Sequence, residues 1–515
     1  MDCYDPNQSN LCSESGVSDV VVGSVVLGDT RSYTLPKILY TLKGAELGLP
    51  LILVLLTSLY FTWRLAVIVV RQFFSEGKAN EQKNLYVQIR GVWYDLAKFN
   101  HPGGPVALKL AEGRDATAMF ESHHLFIEHK KLYAILNKYK VTNKKQHELQ
   151  VLDKIKSHYE WEGYESDPFV VEMKTMVNEH FQKIADEKGI TIQEASKAST
   201  QRWAMVLTMM VAFFATLPWF FAGSWWSLIV TPQLAWVVTA NYWHDCLHFS
   251  MSTNWKINAA LPYLFPWLSS PWTWYHQHVI GHHAYTNVAR MDPDLAHAPQ
   301  LMREHDSIRW KPSHRYQHTL AQLSLVWSVA VGLGLGLLSD IKANTRFSYN
   351  NSVPVQKLDP GRLLMHVLGR VFYVYSLFVW PFYVFPTWKA IVWAFFPIAS
   401  FSWSFMLSSQ VNHLTDNTSH ASSPNFLKHQ VLTSQDFGNN HWFARWFSGG
   451  LNTQIEHHLF PTVNHCHIPD LQPKVKAICE KHGVQYNEVE TYSQAFKNHL
   501  AHTKKMGIRP FSDDH

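Results

Sequence analysis

Histidines occur in three short groups whose spacing suits a metal site. The groups read HDCLH at residues 244–248, HQHVIGHH at 276–283 and QIEHH at 454–458, and each follows a long apolar stretch. Histidine near a bilayer is costly unless it faces the protein interior, water or a metal. The three groups therefore indicate one shared task, the binding of a pair of metal ions, although imidazole alone suits iron, zinc, copper and nickel.

Helical spacing lets the histidines of each group converge. His244 and His248 are four residues apart, so both rings project from one face of a helix. The second group repeats this step, and the third has a glutamine and two histidines at i, i+3 and i+4. The candidate ligands are seven histidines: His244, His248, His278, His282, His283, His457 and His458. One HxxxH pair arises by chance, but without a metal all seven rings would need separate hydrogen-bond partners.

The composition indicates a membrane protein. Of the 515 residues, 17% are charged, against roughly 25% in soluble proteins. The 21 tryptophans suit spans anchored at membrane interfaces. A net charge of +5 gives no argument for nucleic-acid binding. The five cysteines are odd in number and lack CxxC spacing, which argues against a disulfide framework.

Changes in character along the chain predict five regions. They are a disordered tail (1–48), an N-terminal transmembrane segment (49–70), a small soluble unit (84–142), a linker with surface helices (143–202) and a membrane domain carrying the histidine groups (203–500). The 49–70 segment is long enough to span a bilayer.

Parity limits the number of spans in the membrane domain. The apolar stretches are 204–222, 225–243, 257–272, 319–338, 362–382 and 386–408. The first two form a hairpin, and the proline-containing 257–272 stretch is expected to be re-entrant or interfacial. All histidine groups must face one side, so the chain crosses an even number of times between the second and third groups. The 319–338 stretch carries three glycines that weaken a helix, so two hairpins with four spans are predicted.

Residues 319–338 are accordingly expected to lie at the interface without crossing the bilayer. Glycosylation or cysteine-labelling tags near Ser313 and near Asn344 should report the same, cytosolic side. Tags reporting opposite sides would contradict the parity argument, because the second and third histidine groups could then not share one site.

The soluble unit carries a second set of histidines. HPGG at residues 101–104 is followed by GRDATAMFESHH at 113–124, and together they resemble the cytochrome b5 domain. The resemblance implies a heme held by His101 and His124, with His123 as the alternative second ligand. Two histidine ligands leave no open axial position, which is typical of an electron-transfer heme.

The heme unit, the hairpins and the three histidine groups together resemble the membrane fatty-acyl desaturases with a fused N-terminal cytochrome b5. This resemblance implies a mainly α fold: two transmembrane hairpins with a cytosolic di-iron cap, a small α+β heme domain and one extra N-terminal span. It implies two non-heme iron ions, heme b, and O2 as co-substrate. The seven histidines are then iron ligands, His413 is an eighth, Gln454 lies near the site, and the assignment of His276 stays open.

The expected chemistry agrees with these residue types. An unactivated methylene offers neither an acidic proton nor an electrophile, so acid–base devices alone cannot remove its hydrogens. Oxygen must be activated at a metal, and a heme can deliver the required electrons one at a time.

The resemblance also bears on where the double bond is placed. Gln454 opening the third group resembles the front-end subgroup, which desaturates towards the carboxyl end. HVIGHHAYTN and DPDLAHAP resemble a diatom branch that includes Δ11-type enzymes acting on saturated chains. The two features disagree about the substrate, since front-end enzymes act on chains that already carry a double bond. Both agree with a cis double bond at a carboxyl-referenced position, and a saturated or monounsaturated chain ranks ahead of a polyunsaturated one.

Rival functions follow from the same features. They are an acyl hydroxylase, a sphingoid-base desaturase and, outside the enzymes, a heme electron carrier with a metal-binding membrane domain. The expected partners are a fatty-acyl lipid or acyl-CoA, NADH-cytochrome b5 reductase and membrane lipid, without nucleic acid. The expected location is the endoplasmic reticulum, with the histidine groups and the heme domain in the cytosol.

Overall fold

A computed structural model describes most of the chain from residue 84 onward. The described ranges are 84–149, 161–162, 166–264, 271–296, 299–324, 348–349, 353–356 and 360–510. The predicted tail, the 49–70 segment and residues 325–338 of the 319–338 stretch lie outside them.

The N-terminal unit is a β-hairpin followed by short helices. Its elements are β1 (Tyr86–Ile89), β2 (Val92–Asp95), α1 (Pro105–Ala111), α2 (Thr117–His123), α3 (His129–Leu136) and α4 (Asn143–Glu148). The two strands pair antiparallel. Arg90 and Gly91 between them both have positive φ, of 48° and 72°, as in the tight turns that match strand twist. Val87 and Ile89 alternate with polar residues and enter the unit's core.

Helices dominate the rest of the described chain. In order they are α5 (Pro168–Lys188), α6 (Ile192–Ala195), α7 (Thr200–Phe221), α8 (Trp225–Val238), α9 (His244–Leu247), α10 (Trp255–Ala260), α11 (Pro271–Trp274), α12 (His283–Tyr285), α13 (Gln322–Ser324), α14 (Pro360–Val374), α15 (Trp380–Val384), α16 (Thr387–His413), α17 (Phe426–Leu432), α18 (Trp442–Ser448), α19 (Gln454–Leu459), α20 (Ile468–Lys481) and α21 (Tyr492–Met506). The remaining strands are β3 (Ser348–Tyr349), β4 (Val353–Pro354), β5 (Asp436–Phe437) and β6 (Glu488–Val489).

Three of these helical stretches are long and apolar enough to cross a membrane. They are Thr200–Phe221, Gly361–Val384 and Thr387–His413. Helix α8, in the predicted second span, has 14 residues and continues as a π-helical turn, Thr239–Trp243, into α9. It packs against both α7 and α16. Thr231 of α8 hydrogen-bonds to Thr216 at 2.9 Å, which ties the two helices of the first hairpin together.

A second core lies under the histidine-bearing ends of the spans. Helix α5 begins after the capping side chain of Asp167 and ends at Gly189 in the left-handed conformation. Its apolar face, which includes Met173 and Phe181, is fully buried in a cluster shared with Ile455 of α19. This helix belongs to the 143–202 region, predicted as a linker with surface helices, and its buried face packs beneath the third histidine group.

The N-terminal unit packs directly onto the histidine-bearing domain. Val106 and Leu110 of α1 join its main core, and Leu125 joins the second core. At the HPGG turn, Gly104 has a φ of 88°, and a Cβ there would lie 2.2 Å from the indole of Trp255. Only glycine allows this close approach, so the turn is fitted to α10 just beyond the first histidine group.

Candidate metal centre

A π-helical segment positions the second histidine group. Tyr275–His282 forms i→i+5 hydrogen bonds, and the His283 N–H donates to the His278 carbonyl. This winding places residue i+5 one turn beyond residue i. His278 and His283 therefore share a face, with their Nε2 atoms 3.1 Å apart. In an α-helix they would point in different directions, so the wider turn explains how adjacent histidines can both serve one site.

Ring nitrogens from all three groups converge on a first cluster. Its members, whose ligand atoms lie within 4.8 Å of one another, are His244, His248, His278 and His457. Nε2 of His244 is 3.2 Å from that of His278, and Nε2 of His457 is 3.1 Å from that of His283. A metal ion at about 2.1 Å from its ligands sets their nitrogens about 3 to 3.4 Å apart. The observed distances between ring nitrogens are therefore those expected of histidines that bind the same metal ion.

A second cluster lies beside the first. It consists of His282, His413 and His458. The ring of His283 stacks on that of His458 at 4.1 Å and 13°, so His283 stands between the two clusters. The side chains of the two neighbouring histidines of α19 enter different clusters: His457 contributes to the first and His458 to the second. The arrangement suits two metal ions held side by side.

Burial leaves most of these rings neutral. It lowers the pKa of His248, His283, His457 and His458 well below the ordinary value, and neighbouring histidines lower it further. Neutral imidazole is the form that binds metal. Both nitrogens of His248 and Nε2 of His458 are buried without a hydrogen-bond partner among the described residues. Buried polar atoms normally have partners, so these atoms fit a set of metal ligands.

Outer contacts fix the orientation of the second cluster. Nδ1 of His282 lies 3.1 Å from Asp292. Burial lowers the pKa of His282, but Asp292 and Asp294 outweigh it and raise the pKa to about 9. His413 uses Nδ1 to contact the Thr433 carbonyl at 2.9 Å. Such partners orient a ligating histidine and direct its other nitrogen to the metal.

The ring of His458 is also oriented by outer contacts, from Gln430 and Thr286, which the sequence did not identify as site residues. Its Nδ1 lies 2.9 Å from Gln430 Oε1 and 3.2 Å from the Thr286 hydroxyl. Asp292 belongs to the DPDLA motif that follows the second group, so an acidic partner for a histidine of that group could have been predicted from the sequence. Gln430 lies on α17, far away in sequence, and no local pattern identifies it.

Gln454 and His276 take different positions relative to the clusters. The amide of Gln454 lies 3.1 Å from Nε2 of His413, at the edge of the second cluster. His276 contacts the Trp272 carbonyl through Nδ1 and receives the Gln356 N–H at Nε2. Both of its nitrogens are therefore engaged by the backbone, and it lies outside both clusters.

The histidines of the N-terminal unit form a separate pair. The rings of His101 and His124 lie close together and nearly perpendicular, with their centroids 5.9 Å apart and an angle of 89°. Nδ1 of His124 contacts the Phe120 carbonyl at 2.8 Å, which leaves Nε2 available for iron. His123 instead contacts Ser122 at 2.9 Å.

A small cavity of about 60 Å³ with polar and apolar residues in its wall adjoins the clusters. Its wall includes His244, His278, His282 and His413 together with apolar side chains. The apolar members are Trp274, Leu295, Phe405, Met406, Leu414 and Leu451. The polar members besides the histidines are Gln277, Asn287, Asp292, Asp294, Ser409, Gln410, Asn412 and Gln454.

Comparison with known families decides the identity of this domain. The fatty acid desaturase family model matches residues 218–490, which is more than half of the chain. The chain belongs to the fatty acid desaturase family. A cytochrome b5-like heme/steroid binding domain matches residues 75–144 of the same desaturase. The resemblance inferred from the histidine groups and the HPGG segment is thereby confirmed.

Relatives of the desaturase align over most of its length. An acyl-lipid (8-3)-desaturase B of Dictyostelium discoideum is 28% identical over 465 residues, covering 84% of this chain and 93% of the relative. An acyl-lipid (8-3)-desaturase of Mortierella alpina is 28% identical, with 84% and 96% covered. An acyl-lipid omega-13 desaturase of Chlamydomonas reinhardtii is 27% identical, with 81% and 92% covered.

Family membership identifies the reaction class and the cofactors. The protein is an oxidoreductase that desaturates fatty-acyl lipid, with a heme in its cytochrome b5 domain and a non-heme iron pair that reacts with O2. When bound, the iron pair supplies the oxygen activation that an unactivated methylene requires. The chain's own contribution is to orient the ring nitrogens of His282, His413 and His458 through their outer contacts.

Proposed function

We propose that the two histidine clusters bind the two iron ions. The first ion is held by His244, His248, His278 and His457, the second by His282, His413 and His458, with His283 between them. Support comes from the convergent ring nitrogens, their burial and their orientation by outer contacts. In this proposal Gln454 remains an outer residue, because its amide faces His413.

The proposed reaction introduces a cis double bond at a fixed distance from the carboxyl end of an acyl-lipid chain. The observation that carries this proposal is Gln454, which opens the third histidine group and lies on the wall of the cavity beside both clusters. The relatives from Dictyostelium and Mortierella carry acyl-lipid (8-3)-desaturase names, and the Chlamydomonas relative carries a name counted from the methyl end. The counting rule therefore needs its own test.

Electrons are proposed to enter through the fused heme domain of the same chain, fed by NADH-cytochrome b5 reductase in the endoplasmic reticulum. Support comes from the packing of Gly104 against Trp255 and from the shared cores around Val106 and Leu125. Helix α2 ends at His123, next to the proposed heme ligand His124, and Ala118 of this helix joins the second core. With this route, the clusters and the heme domain both face the cytosol.

The proposed domain boundaries follow the same division. Residues 84–142 form the heme domain, 143–202 connect it to the 203–500 membrane domain, and the 1–48 tail and 49–70 span precede it. The connecting region contributes α5, whose buried face supports α19.

Feeding acyl chains of two lengths tests the counting rule. The chain is expressed in a host with simple lipids, saturated sixteen- and eighteen-carbon acids are supplied, and the new double bonds are located by mass spectrometry. The expected product is a cis double bond at the same distance from the carboxyl end in both, with no hydroxyl retained. A constant distance from the methyl end would contradict the counting rule. A hydroxylated acyl product or a modified sphingoid base would favour the rival enzymes.

A further inference from the structure

A buried charged network lies behind the first cluster. Asp245, inside HDCLH, accepts hydrogen bonds from Arg202 and Asn464 at 3.0 Å each. Its other carboxylate oxygen lies 2.5 Å from Nδ1 of His465. All four residues are buried. Burial of such a network is costly unless every member is paired, and removal of one partner leaves the others uncompensated.

His465 carries this network to the rings of the first cluster. Its ring stacks on that of His457 with centroids 4.8 Å apart and an angle of 25°. It also lies 5.6 Å from the ring of His244. Nε2 of His465 is buried without a hydrogen-bond partner among the described residues. Nδ1 of His465 is thus held by the Asp245 carboxylate, while the face of its ring packs on His457, a proposed iron ligand.

The backbone is shaped to admit this ring. Gly450 has a φ of 100°, and a Cβ there would lie 2.5 Å from the ring of His465. A side chain at residue 450 would therefore push His465 off His457. A histidine that served only to neutralise Asp245 would not need this close fit, since Arg202 already pairs with the carboxylate at 3.0 Å.

We propose that Asp245 and His465 are positioning residues of the first iron site. Asp245, anchored by Arg202, holds His465, and His465 fixes the ring planes of His457 and His244 so that their Nε2 atoms point at one ion. This inference rests on the proposed assignment of the clusters to iron. Partners of this kind change metal affinity by about 10- to 100-fold when they are replaced.

The test measures iron in the purified full-length protein. His465→Phe keeps a ring against His457 but removes the nitrogen that contacts Asp245. Iron affinity at the first site is expected to fall about 10- to 100-fold, with one of two iron signals lost or altered in Mössbauer spectra. Heme absorbance and the elution volume should match those of the parent. His467→Phe, in the same short turn (His465–His467), is the matched control and should keep both ions.

Each outcome bears on a different claim. A His465→Phe protein that holds both ions as tightly as the parent overturns the positioning role alone. A parent protein without iron overturns the cluster assignment, and the positioning role with it. If His465→Phe does not accumulate, His465→Asn is measured instead, because its amide still reaches towards Asp245 while the stacked ring is lost. Unchanged iron binding in that variant also overturns the proposal.

Discussion

Replacing His248, His283 or His458 by alanine is expected to reduce product below detection while the protein remains in the membrane. His248 belongs to the first cluster, His458 to the second, and His283 lies between them. Each substitution removes a ring nitrogen from a site whose geometry depends on complete coordination. The measurement is the amount of new double bond in host lipids, together with the iron content of the purified variant.

His276→Ala is the matched control for this series. His276 lies in the same histidine group, but both of its nitrogens contact the backbone. It should retain iron, and its activity should stay within the range of the parent. Retained activity in any two of the three alanine variants would contradict the assignment of these histidines to the metal site.

Loss of the heme should have the second largest effect. His101→Ala removes one of the two neighbouring rings proposed to hold the heme, so the heme absorbance should disappear. Desaturation should then fall strongly, because without the fused heme the clusters can receive electrons only from a separate cytochrome b5 protein. The measurement pairs the absorbance spectrum of the purified variant with product yield in a host that lacks separate cytochrome b5.

His123→Ala separates heme ligation from the other functions of that helix. His124, rather than His123, faces His101, so this variant should keep the heme spectrum. Normal desaturation by His101→Ala in the host lacking free cytochrome b5 would show that the fused domain is dispensable.

The histidine groups could be predicted from the sequence because their information is local. Four-residue spacing fixes which side chains share a helix face, and QIEHH lies on a helix, α19, as the spacing indicates. The second group was read with the same α-helical rule, yet the segment is π-helical. Packing around the site determines whether a helical turn takes up an extra residue, and the pattern of residue types does not reveal it.

Long-range contacts explain the rest of the difference. The separation of His457 and His458 into two clusters depends on where the second group and α16 lie, which no spacing within QIEHH reveals. His465 and Gln430 were not identified as part of the site, because each meets it only after the chain has folded. The packing of Gly104 on Trp255 likewise joins two segments 151 positions apart in the printed sequence.

The metal content of the purified full-length protein tests the assignment of the clusters most directly. Iron, zinc and heme are measured per chain by elemental analysis and absorbance, and Mössbauer spectra distinguish the heme iron from the non-heme iron. The expected result is one heme and two non-heme iron ions, with the non-heme iron lost in His248→Ala and His458→Ala but retained in His276→Ala. Zinc in place of iron, or non-heme iron retained in both cluster variants, would contradict the assignment.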